Sequence, residues 1–151
     1  PRAMPLFLLG IALQRLVDED ADLFAVDINE RSMTHRLAVH LTPLFPEWNV
    51  DCEYNRNGHE PKRLNFDVQT VETDDTDAKT VYPDVIVHRR GTDHNLLVVE
   101  AKKANNAEGT GRDIQKLKAF IDELGYQYAA AVVINTGTPP DYHIEWKYSA
   151  I

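Results

Sequence analysis

The chain has 151 residues, enough for one compact domain and short for two. It is 43% hydrophobic and 26% charged, a balance that supports a packed core and excludes wholesale disorder. Sixteen Lys and Arg stand against 24 Asp and Glu, a net charge of −8 that counts against a protein coating nucleic acid through a general basic surface. It does not exclude an enzyme that meets phosphate through a bound cation, because the ion supplies the local charge.

In chain order, Leu6, Leu9, Leu13, Leu16 and Val17 fall at helical spacing and predict a helix over 5–18, closed by Asp18-Glu19-Asp20. The apolar run Leu6–Leu13 is too short to span a bilayer, and it lacks the flanks of a signal peptide. Pro1-Arg2-Ala3 reads as an addition ahead of a native Met4, and a cytoplasmic setting is expected. A second helix is predicted from about Asp27, with Met33, Leu37, Leu41 and Leu44 as its apolar stripe and Pro43 and Pro46 as its end. Trp48–Tyr54 alternates with period two and predicts a half-exposed strand. The single cysteine, Cys52, excludes a disulfide within the chain or a cysteine-rich zinc site, and is expected to be a small buried hydrophobe.

Residues 55–80 are polar and rich in turn formers, an excursion from a single domain spanning 1–151. Val81–Arg89 and Asn95–Lys102 then read as a hairpin around Gly91-Thr92-Asp93. The second strand is apolar on both faces at Leu96–Val99, which predicts a central strand covered above and below. Ile114, Leu117, Ile121 and Leu124 predict a helix capped by Gly125. Tyr128–Ile134 reads as a buried strand and Tyr142–Tyr148 as an edge strand. The tyrosines and Trp146 in this region read as packing residues. The expected class is α/β, a central mixed sheet flanked by helices with core order αβββαβ, carrying residues 1–26 as an N-terminal helical extension.

Side chains two apart on a strand share a face, so Glu100 and Lys102 project together where an apolar strand gives way to a rim. The hairpin returns Asp84 to the same end. Two carboxylates about 5 Å apart repel by roughly 3 kcal/mol at an effective dielectric near 20, so stability alone does not account for the pair. Mg²⁺ or Mn²⁺ relieves that repulsion, since hard cations take oxygen ligands and keep waters for a phosphate. A bound metal lowers the pKa of its water, and a lysine beside it orients that water and offsets charge on the phosphate.

Tyr82-Pro83-Asp84, fifteen intervening residues, and Glu100-Ala101-Lys102 resemble the PD-(D/E)XK signature of the restriction-endonuclease-like superfamily, which includes repair nucleases and Holliday junction resolvases. The resemblance covers roughly 27–135 as an order of elements and implies a restriction-endonuclease-like sandwich. It implies metal-binding roles for Asp84 and Glu100 and a catalytic role for Lys102. A glutamate from an early helix is common in the family, for which Glu30 is the candidate. Asp27-Ile28-Asn29-Glu30 also forms a capping-box pattern that would turn Glu30 back on its own helix. A glutamine or lysine on the following helix points to Gln115 or Lys116, with Gln115 favoured.

Other polar residues have structural readings of their own. His35 and Arg36 read as exposed helix polarity, and His88 shares a strand face with Asp84. His88-Arg89-Arg90 with Lys102-Lys103 is the best phosphate-contact patch in an acidic chain. The expectation is therefore a Mg²⁺- or Mn²⁺-dependent nuclease acting on nucleic acid, DNA in particular, with a homodimer formed through the edge strand as a possible arrangement. The alternative is a module that keeps the fold without turnover and binds nucleic acid or protein.

Overall fold

In the computed structural model, residues 4–54, 63–64, 79–80 and 82–150 are described. Three helices come first: α1 (Met4–Glu19), α2 (Ala21–Ala25) and α3 (Glu30–Leu41), the last running into a 3₁₀ turn at Thr42–Leu44. The strands β1 (Asn49–Cys52), β2 (Arg63–Leu64), β3 (Lys79–Thr80), β4 (Val85–His88) and β5 (Asn95–Lys103) follow. Then come α4 (Gly111–Leu124), β6 (Tyr128–Asn135) and β7 (Asp141–Ser149). Most of the predicted polar excursion lies outside the described residues; its described parts, β2 and β3, form a separate antiparallel pair.

The main sheet has the order β1-β4-β5-β6-β7. All its pairings are antiparallel except β5 with β6, which α4 connects. The chain is thus an α/β protein with a five-stranded mixed sheet. Strand β5 lies at its centre and is buried along nearly its whole length, as its two-sided apolar sequence demands.

Alternation along the strands assigns each residue to a face. Val85, Val87, Leu97, Val99 and Ala101 pack with Leu9, Leu13, Leu16, Met33, Leu37 and Leu41 from α1 and α3. Ile86, Val98, Ala129 and Ala131 pack with Leu117 and Phe120 from α4. Leu9, Leu13, Leu16, Leu37 and Leu41 are fully buried, each contributing on the order of 2 kcal/mol in area removed from water. Helix α4 ends where Gly125 takes the left-handed conformation (φ 70°), and the Asn95 side chain donates to the Leu124 carbonyl at 2.8 Å.

Two local expectations are corrected. Asn29, not Asp27, caps α3, its side chain accepting the Ser32 N–H at 2.8 Å, and Glu30 is the first helical residue. Asp27 takes a positive φ of 56°, outside any helix. Cys52 is exposed rather than buried, because it ends the edge strand β1. Partial burial of its thiol, with the Glu53, Asp51 and Asp84 carboxylates nearby, pushes it up to about 11, so it stays a thiol at neutral pH.

Candidate functional site

Strand β4 begins at Val85, opposite Val99, while β5 runs on to Lys103. Beyond that point two N–H groups of β5 are met by carboxylates. Asp84 Oδ2 accepts from Ala101 at 2.9 Å and Glu30 Oε2 accepts from Lys103 at 2.9 Å. Glu100 Oε2 in turn accepts the Asp84 N–H at 3.2 Å. Asp84 and Glu100 are therefore interlocked, each carboxylate fixed by the backbone of the other's strand.

The hairpin turns Glu100 and Lys102 toward the α4 face, with Ala131 and Val133 of β6 beside them in register. Glu100 is 1% exposed. Burial, and then the charge of Asp84, hold its carboxyl well above the usual range, with Lys116 only partly opposing them. The Lys116 ammonium forms an ion pair with Glu100 Oε1 at 2.5 Å and donates to the Tyr82 carbonyl at 2.7 Å. Burial would lower Lys116, yet the Glu100 carboxylate outweighs it and keeps the ammonium charged.

Lys102 is 8% exposed and is held by Asp113 Oδ2 at 3.3 Å and Glu108 Oε2 at 3.6 Å. Burial raises Asp113, with Lys102 opposing the shift. Lys102 lines an open cleft of about 260 Å³ with Asn106, Gly109, Thr110, His143 and Glu145.

The structure thus brings together Asp84 and Glu100, with Lys102 on the same face. Glu30 lies along the same edge of β5, two residues beyond the N–H that Asp84 meets, and its Oε2 accepts from Asn106 Nδ2 at 2.9 Å as well as from Lys103. Gln115 is exposed, and its neighbour Lys116 occupies the position expected of it. The sequence carried the signal for that difference. Asp113, Lys116, Leu117 and Phe120 have the i, i+3, i+4, i+7 spacing of one helix face, and Leu117 and Phe120 are fully buried. Read from Phe120, the stripe carries Asp113 and Lys116 inward, whereas the stripe centred on Ile114 and Ile121 does not.

The other candidates have partners of their own. His88 is 1% exposed, lies under Tyr54 and meets Asp51 at 2.7 Å, at the opposite end of β4 from Asp84. Arg90 also pairs with Asp51, Arg89 lies over the Trp48 ring and Lys103 meets Asp27 at 2.9 Å. The expected basic patch is therefore a set of satisfied cations at both ends of the sheet. Arg36 chelates Asp20 (3.1 Å twice) beside His40, a structural cluster joining α1 to α3, and His35 is exposed.

Chemically, the site offers two hard carboxylate oxygens, a backbone carbonyl and two ammonium groups within one rim. Among the described residues no three His, Cys, Asp or Glu side chains gather as a ready coordination sphere, and no helix is long and apolar enough to cross a membrane. The fold and rim define an α/β protein with a buried carboxylate–lysine site at the diverging end of its central hairpin. No protein-family model, curated protein or solved structure matches the chain.

Proposed function

We propose that the chain is a divalent-cation-dependent nuclease of the PD-(D/E)XK type, with a restriction-endonuclease-like fold, hydrolysing phosphodiester bonds of nucleic acid, DNA in particular. The observation that carries the reading is the interlocked pair: Asp84 and Glu100 face one rim, with Glu100 buried at an electrostatic cost. A fold does not keep a buried carboxylate beside another carboxylate for stability.

The donor set fits Mg²⁺ or Mn²⁺, which take oxygen ligands and accept few protein groups because they retain water. When bound, such an ion would lower the pKa of a coordinated water and offset charge on the phosphate. Asp84 and Glu100 would hold it, and their backbone hydrogen bonds keep both carboxylates aimed. Lys102, positioned by Asp113 at the cleft, would meet a phosphate oxygen and stabilise the charge that develops there. A cytoplasmic setting and a homodimer meeting along the open edge of β7 belong to the same proposal.

Mn²⁺ calorimetry on the unaltered chain and on Asp84→Ala tests the reading without a guess about substrate. Saturable binding that disappears in the variant is expected, with Lys102→Ala binding the ion but losing cleavage of DNA. Absence of binding by the unaltered chain would remove the proposal. One observation favours a second reading, a module with the same fold and no turnover. Both lysines are already committed to carboxylates, Lys116 to Glu100 and Lys102 to Asp113 and Glu108. Binding of DNA or a protein partner without cleavage in Mn²⁺ would support it.

A further inference from the structure

Two lysines reach the carboxylate rim, and they do different things there. Lys102, which the sequence pattern singles out, is engaged with Asp113 and Glu108. Lys116 is the lysine in contact with the pair itself. Its ammonium sits between Glu100 Oε1 at 2.5 Å and the Tyr82 carbonyl at 2.7 Å, and the charges of Asp84 and Asp113 also act on it. A carboxylate oxygen, a backbone carbonyl and a second carboxylate nearby are the ligand types that hold a hard metal ion. An ammonium group in that cradle is a cation in a cation's place.

We propose that the Lys116 ammonium marks the cation position of the Asp84–Glu100 pair, with the Tyr82 carbonyl as part of its cradle, and that Lys116 must withdraw before a divalent ion can take that position. The inference rests on the metal reading of the pair and adds to it the residue that competes. An ammonium 2.5 Å from Glu100 Oε1 and a divalent ion on the same carboxylate would be like charges a few ångström apart, strongly repelled at a buried site. Withdrawal is sterically open. The Lys116 side chain is 22% exposed, against 1% for Glu100, and a four-carbon stem can carry its strongly hydrated head to water. In the absence of metal the same lysine offsets the charge of Glu100, so the pair persists without an ion.

The test compares Mn²⁺ affinity of the full chain, Lys116→Met and Lys102→Met, the last removing an equal charge from the same rim. It adds nuclear magnetic resonance of the lysine ammonium groups of the unaltered chain during a Mg²⁺ titration. Expected are Mn²⁺ binding about tenfold tighter or more in Lys116→Met, a change of about threefold or less in Lys102→Met, and a Lys116 signal that moves to the position of solvent-exposed lysines. Equal affinity in the unaltered chain and Lys116→Met overturns the inference, as does an equal gain in the two variants. A Lys116 signal unmoved at saturation overturns it and leaves the metal reading standing. Failure of the unaltered chain and both variants to bind overturns both. Should Lys116→Met not fold, the resonance experiment alone decides.

Discussion

Replacing Asp51 by Asn tests how the charge network at the far end of the sheet holds β1 to β4. Burial alone would raise the Asp51 carboxyl. Hydrogen bonds from His88 and Arg90, reinforced by their charges, outweigh it and hold it at about 2 against an ordinary 3.8. With each unit worth about 1.4 kcal/mol, ionised Asp51 contributes about 2 kcal/mol, and its side chain, 13% exposed, is little screened by solvent. Because the folded value is depressed, the contribution is complete well above 3.8 and fades as pH falls through 2. Asp51→Asn is expected to lose about 2 kcal/mol at pH 7, a fall of roughly 4–8 °C in Tm for a domain of this size. About half of the difference should be gone at pH 3 and most of it at pH 2. Urea unfolding of both proteins from pH 2 to 7, followed by tryptophan fluorescence, measures this directly. A loss under about 0.5 kcal/mol at pH 7, or one that does not shrink in acid, would refute the reasoning.

Two further perturbations probe buried polar groups. Glu100 has a raised carboxyl, so its ionisation weakens the fold as pH climbs from the ordinary carboxylate range through the raised value. Glu100→Gln should therefore melt higher than the unaltered chain at pH 8 in a chelator and equally at pH 4; a lower Tm at pH 8 would mean that the Lys116 pair is net stabilising. The Tyr126 hydroxyl is buried and has no hydrogen-bond partner among the described residues, and burial raises its pKa. Tyr126→Phe should then change stability by less than about 0.5 kcal/mol or raise it by up to about 1 kcal/mol, since a hydroxyl buried without a partner keeps its desolvation cost. A loss above about 1.5 kcal/mol in chemical denaturation would reveal a partner for that hydroxyl.

Much of the architecture was legible from local pattern. The α1 stripe, the hairpin around Gly91, the two-sided β5 and the Gly125 stop each rest on periodicity or a backbone requirement that one segment carries by itself. Helix α2 was not foreseen: five residues give too short a window for a 3.6-residue period to show, and only Phe24 of them is buried. Cys52 was misplaced for a related reason, since alternation assigns faces but does not say which strand becomes an edge.

The sequence by itself determined the sheet-forming segments, the face shared by Glu100 and Lys102, and the return of Asp84 to their end, because pleat and hairpin geometry act over a few residues. The tertiary structure decided which charges meet. It sent Glu30 to the β5 edge, His88 to Asp51, Lys102 to Asp113, and Lys116 to Glu100. Those partners are 73, 37, 11 and 16 positions apart, a separation over which strand and helix periods carry no information. Burial then fixes the pairing, because a charge withdrawn from water must find a counter-charge wherever the packed elements place one.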